Sequence, residues 1–161
     1  MPGFHEYPDN PMLDAEMKYK RETIKAVKKF KQTNPWKGSR EVRAAKFDAL
    51  LAELKVIYNK PSLRCVYECQ RPYFESFSSC YSPYNDLITM RGRFSVITFL
   101  HEFAHALGRD EYGAVKWSTN LFAKVFPEKM AALSNSGHVL TINRSTQEVC
   151  SRCVRYPSST L

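Results

Sequence analysis

Histidine is scarce in this chain, four in 161 residues, and several features that would steer a reading elsewhere are missing altogether. No internal repeat is present, which sets aside solenoids and arrays. The N-terminus, MPGFHEYPDNPM, is polar and Pro-rich and lacks the charged start and apolar run of a signal peptide. The longest apolar stretch, residues 94–107, carries His101, Glu102 and His105 in its middle, and it is too short to span a bilayer. No membrane association is expected, and a cytoplasmic location is. Cysteines number five, an odd count, so free thiols or metal ligands are expected in place of a disulfide framework.

What is present is the composition of an ordinary globular domain, 43% apolar and 25% charged. Disorder, a collagen-like repeat and a disulfide-dense miniprotein fit poorly. The length suits one compact domain with one core. Acidic residues are in deficit, 16 against 24 Lys+Arg, for a net charge of +8. Most of that excess lies in residues 14–48, where eleven Lys/Arg face five acids. A basic helical segment can be an electrostatic footprint for nucleic acid. It can also be a solvated face, and the absence of aromatic interleaving or any binding motif favours that plainer account.

Along the chain, prolines at 2, 8 and 11 make the start irregular, and Asp14 is placed to cap a first helix with a stripe at Met17, Ile24, Val27 and Phe30. Pro35 and Gly38 break it, and Ser39 caps a second helix with Val42, Ala45, Leu50, Leu54 and Ile57 in register. From Pro61 the texture turns β-branched and aromatic. Residues 63–68 and 86–90 read as strands, 70–83 as a loop or short hairpin. A helix follows from near Ser95 to Gly108, the latter suited to a left-handed helix end. Glu111 to Val125 forms another helix, closed by Pro127. One short strand is expected at 138–142. The whole reads as α+β: a basic helical extension, 1–60, packed on a core at 61–142, with a basic, frayed tail at 143–161.

Within the apolar helix stands His101-Glu102-Phe103-Ala104-His105, an H-E-x-x-H motif. Positions i and i+4 share a helix face, so both imidazoles can reach one cation at about 2.0–2.1 Å. Glu102 sits beside that face, where it can take a proton from metal-bound water without ligating the metal. The helix is apolar nearly all round, and burying two imidazoles and a carboxylate is costly unless they are paired or bind metal.

Catalytic zinc usually has three protein ligands. Asp110, Glu111, Glu128 and His138 are the downstream candidates. Glu111 extends the inward stripe of Ala114, Trp117, Ser118, Leu121 and Phe122, and it is the chosen third ligand; a dipole-stabilising acid in the first turn is the competing account. Asp110 suits the cap.

His101, Glu102 and His105 resemble, residue by residue, the motif of the HExxH metallopeptidases of the zincin fold. The strand at 86–90 leading into the motif helix is similar to the zincin layout, in which an edge strand binds extended substrate by main-chain pairing. The resemblance implies a small, mostly antiparallel sheet packed on the active-site helix. Gly108 and Glu111 fall where metzincins carry a glycine and a final His or Asp; glutamate departs from that pattern, and no Met-turn is evident, since Met130 lies in an apparent helix. The segment from Glu111 to Phe122 resembles instead the ligand helix of small glutamate-zincins of the ImmA/IrrE type, although the gap after His105 is short for that group. The resemblance covers roughly residues 63–127.

It implies a zinc metallopeptidase acting on protein or peptide, with zinc on His101, His105 and Glu111 and with Glu102 as general base. The alternative is a zincin-fold regulatory or nucleic-acid-associated protein, repressor-cleaving or non-catalytic, using the basic segment 14–48. A structural zinc protein without turnover would leave Glu102 no task. Tyr84, Arg109, Tyr112 and His138 are the candidates for stabilising an oxyanion, and Asp110 and Asn120 for orienting an imidazole. A second, structural zinc ion held by Cys65, Cys69, Cys150 and Cys153 is a further possibility beside free thiols.

Overall fold

A computed structural model describes residues 13–68, 79–92 and 94–130. Helix α1, Arg21–Gln32, turns Thr23, Ala26, Val27 and Phe30 inward, the i, i+3, i+4, i+7 pattern that makes a helix bury one face. Asp14 is not its cap. The helix starts seven residues later, from Lys20 and without a side-chain cap, and Asp14 instead accepts from the Glu16 amide at 3.0 Å in a turn of its own. Helix α2, Arg40–Ile57, is capped by Ser39, whose hydroxyl accepts from the Val42 amide. Its buried stripe is Phe47, Leu50, Leu51 and Leu54. Val42 and Ala45, expected inside, are exposed, because Val42 is occupied in closing the preceding turn. There Gly38 has φ +108°, and a Cβ on it would come within 2.6 Å of the Val42 side chain.

Among the described residues the sheet has three strands in the order β1-β3-β2: β1, Arg64–Tyr67; β2, Cys80–Ser82; and β3, Leu87–Met90. It is mixed, not mostly antiparallel: β2 pairs with β3 antiparallel, Tyr81 opposite Ile88, and β1 pairs with β3 parallel, Cys65 opposite Ile88. The tight turn 83–86 makes β2 and β3 a hairpin, whereas the long excursion between β1 and β3 permits the parallel arrangement. Asp86, at φ +52°, turns that corner. It is pinned there by the Ser62 hydroxyl at 2.6 Å and the Tyr81 hydroxyl at 2.7 Å. The strand leading into the motif helix is therefore the central one, and among the described residues the outer strands are β1 and β2.

Helix α3, Val96–Ala106, starts where the sequence indicates and is capped by Ser95, and α4, Glu111–Val125, is capped by Asp110 as expected. The two helices pack on one another, α3 lies against β2 and β3, and α4 reaches α1. Phe30, Phe47, Leu54, Ile88, Phe99, Phe103, Trp117 and Phe122 belong to one core, so the N-terminal helical pair shares its interior with the motif helix. Phe47 joins them physically, with its ring 5.1 Å from Phe30 and 5.2 Å from Phe99. Each aromatic buried this way stabilises by about 1.5–3 kcal/mol relative to exposure. None of the described helices is long and apolar enough to cross a membrane. The strand expected at 138–142 and the tail at 143–161 lie outside the described residues.

Candidate metal centre

His101 and His105, four residues apart on α3, fall on one face, one turn apart. Their Nε2 atoms stand 3.1 Å from each other. Both rings are buried, at 6% and 7% exposure, and Glu102 between them is at 1%. These three side chains form a group in which a ring nitrogen or carboxylate oxygen of each lies within 4.8 Å of the others.

A second carboxylate completes the constellation, and a four-residue corner delivers it. Helix α3 ends with Gly108 at φ +91°, where the Arg109 amide bonds back to the Ala104 carbonyl at 3.2 Å. Asp110 immediately caps α4 by accepting from the Gly113 amide at 2.7 Å. Glu111, the first residue of α4, is thereby turned back onto α3. Its Oε1 lies 3.4 Å from His101 Nε2 and 3.2 Å from His105 Nε2.

The protonation of His105 follows from its other side. Nδ1 is 2.9 Å from the Arg109 carbonyl oxygen, which can only accept, so Nδ1 is a donor and Nε2 is the ring atom left for a metal. That atom faces a carboxylate oxygen. A proton on His101 Nε2 can bridge one of the three contacts. A cation meets all three atoms together. Three donors at about 2.0–2.1 Å from one tetrahedral zinc ion stand about 3.3 Å from each other, and the observed separations are 3.1, 3.2 and 3.4 Å. The donor set therefore fits a zinc ion held by His101, His105 and Glu111.

Burial lowers the His101 pKa and, with neighbouring His105, outweighs the pull of Glu111 in the other direction. The neutral, metal-binding form is thus favoured. Burial also pushes the Glu102 carboxyl well above the ordinary range, with Cys80 and Glu111 adding to it and a hydrogen bond from the Tyr81 main chain opposing. Glu102 Oε1 is buried without a hydrogen-bond partner among the described residues. Such an oxygen is costly unless a ligand or water meets it.

Other candidates fall elsewhere. Glu128 pairs with Lys31 at 2.9 Å, away from the histidines, and Asp110 serves as the cap. Asn120 accepts from the Asp14 amide and donates to the Lys116 carbonyl. Tyr84 and Tyr112 are exposed, at 73% and 53%, and neither hydrogen-bonds a site residue among those described. Arg109 contributes its carbonyl, not its guanidinium. Two main-chain groups were missed by reasoning from side chains: that carbonyl, and the Tyr81 amide on β2. The first had a signal, since a left-handed residue at position 108 folds the chain back over the last helical turn.

Cys65 and Cys80 are free thiols. Burial pushes the Cys65 thiol up to about 12, with a Tyr67 hydrogen bond opposing and Asp48 adding, away from the thiolate that a zinc ligand requires. Cys69, Cys150, Cys153 and His138 lie outside the described residues. No protein-family model, curated protein or solved structure matches this chain.

Proposed function

We propose that the protein is a zinc-dependent peptidase of zincin type, with the ion held by His101, His105 and Glu111 and with Glu102 as general base. The observation that carries this reading is the triangle of three potential ligand atoms, His101 Nε2, His105 Nε2 and Glu111 Oε1, with the far nitrogen of His105 already used as a donor. One proton on His101 Nε2 can bridge one side of this triangle, whereas a cation meets all three atoms at once.

Bound zinc supplies a Lewis acid that acidifies water and polarises a carbonyl. The chain supplies the rest. His105 is held in its tautomer by the Arg109 carbonyl, and Glu111 is oriented by the capped start of α4. Glu102, anchored at one side by the Tyr81 main chain, keeps Oε1 for accepting a proton from water and returning it to the leaving amine. Its near-complete burial keeps competing solvent from that oxygen. The outer strand β2 lies beside the motif helix, which supports an extended peptide as the substrate class.

Elemental analysis of the purified protein, compared with Glu111→Ala and Glu102→Gln, tests the assignment. One zinc per chain is expected in wild type and Glu102→Gln, with peptide-library cleavage abolished only by losing the base or the metal. Zinc kept at wild-type affinity in Glu111→Ala would remove Glu111 from the ligand set. Cleavage surviving in Glu102→Gln would remove the general base.

A further inference from the structure

The structure divides the basic segment 14–48 into charges used by the fold and charges left outside it. Arg40 donates to the carbonyls of Gly92 and Glu68, and Arg43 to those of Pro35 and Phe94. Lys46 caps the turn at Asn34 and Lys37, Lys31 the end of α4 at Val125, and Lys20 the end of α2 at Ile57. Lys29 pairs with Glu53 at 3.6 Å. Most of the positive charge on α2 and its flanking turn is therefore structural.

Arg21, Lys25 and Lys28 are different. All three are exposed, and none has a hydrogen bond or ion pair among the described residues. They stand at i, i+4 and i+7 of α1, opposite the buried Thr23, Ala26, Val27 and Phe30, and so form one row about 10 Å long on the outer face. Like charges at these spacings repel and weaken the helix that carries them. Helix α1 also has no side-chain cap to compensate. A polyanion along the row would relieve the repulsion.

The geometry points to the outer face of α1 as a docking surface for the phosphate backbone of nucleic acid, contacted through Arg21, Lys25 and Lys28. A duplex presents a phosphate about every 3.4 Å of helix axis on each strand, so a row of this length laid parallel to the axis spans about three of them. The contacts reach phosphate and carry no base sequence. This surface is independent of the metal centre, and the two readings can fail separately.

The test uses the full chain and a labelled mixed-sequence DNA duplex, with fluorescence anisotropy between 50 and 200 mM salt. Binding should weaken with salt, these three contacts accounting for about 40-fold across that range. The triple variant Arg21→Gln/Lys25→Gln/Lys28→Gln should lower the slope of log K against log salt by about 2–3. Far-ultraviolet circular dichroism checks that α1 stays folded. A control that removes three exposed or half-exposed charges elsewhere, Lys37→Gln/Lys55→Gln/Lys124→Gln, should change the slope by less than one. Equal losses in the two triple variants would overturn the proposal in favour of net charge alone. So would absence of salt-dependent binding in wild type, or capture by phosphatidylserine vesicles or a polyglutamate peptide with no binding to DNA.

Discussion

The Nδ1 of His105 is held 2.9 Å from the carbonyl oxygen of Arg109, four residues on, and this fixes the face that His105 turns to Glu111. Because the carbonyl accepts, Nε2 is the ring atom left opposite a carboxylate. The consequence is a site that gathers two imidazole nitrogens and a carboxylate oxygen at zinc-ligand spacing and whose stability should respond to metal. Zinc at a thousandfold excess over its Kd should stabilise the fold by about 4 kcal/mol. Thermal unfolding in zinc and in chelator measures the difference. Glu111→Ala should show little of that response, and an equal zinc-dependent rise in its Tm would contradict the ligand assignment.

The corner between α3 and α4 should govern metal affinity without any of its side chains touching the ion. Gly108 sits at φ +91°, and an added Cβ would meet nothing within 4 Å. Gly108→Ala therefore costs backbone strain alone, about 1–2 kcal/mol. Asp110→Ala should cost about 1 kcal/mol through loss of the cap, and Asp110→Asn should recover most of it. Both destabilising variants should weaken zinc binding by roughly 10–100-fold, the range seen when groups that orient ligands are lost. A chelating-dye competition reads this directly. Lower stability with unchanged affinity would show that the corner does not position Glu111.

The last three helices are legible in the sequence because each carries a local signal: Ser39 and Asp110 as caps, a start near Ser95, Gly108 as an end, and an i, i+4 pair of histidines on one face. Helix α1 carries no such signal, since no side chain caps it, and Asp14 misplaces its start. Glu111 was legible through its place on the inward stripe of α4. The sheet was less so. Pairing partners are set by contacts distant in sequence, so neither the parallel alignment of β1 with β3 nor the central place of β3 could be read from alternation in residues 63–68 and 86–90. The stripe on α2 was misread for a related reason. Val42 is apolar and in phase, yet it is drawn into closing the turn at Gly38, and Phe47 and Leu51 take the core positions. The main-chain groups that hold His105 and Glu102 have no side-chain signature to read.

Phe47 ties the N-terminal helices to the motif helix, and its removal should be felt at both. The ring is fully buried and meets Phe30, Phe94 and Phe99. Phe47→Ala should destabilise by about 3–5 kcal/mol, while Phe47→Leu should cost much less. Urea unfolding followed by tryptophan fluorescence and by circular dichroism would measure it. A single shared transition is expected, since one core contains both parts. Two separate transitions would mean that the helical pair folds independently.

Asp86 should set part of the acid limb of stability. Burial favours its neutral form, but hydrogen bonds from Ser62 and Tyr81 and the nearby Lys60 ammonium outweigh that and hold its pKa below the ordinary value. A carboxyl depressed in the folded state contributes stability that is fully present above its unfolded pKa of about 3.9. That contribution is lost as pH falls from there through the folded value. Wild type should therefore lose stability on acidification below about pH 4 more steeply than Asp86→Asn, whose side chain does not titrate and whose asparagine tolerates the φ of +52° at this corner. Tyr81→Phe removes one of the donors at 2.7 Å and should give an intermediate slope. Chemical denaturation at a series of pH values from 3 to 7 separates these cases, and parallel curves for wild type and Asp86→Asn would show that the hairpin carboxylate contributes nothing to the pH dependence of the fold.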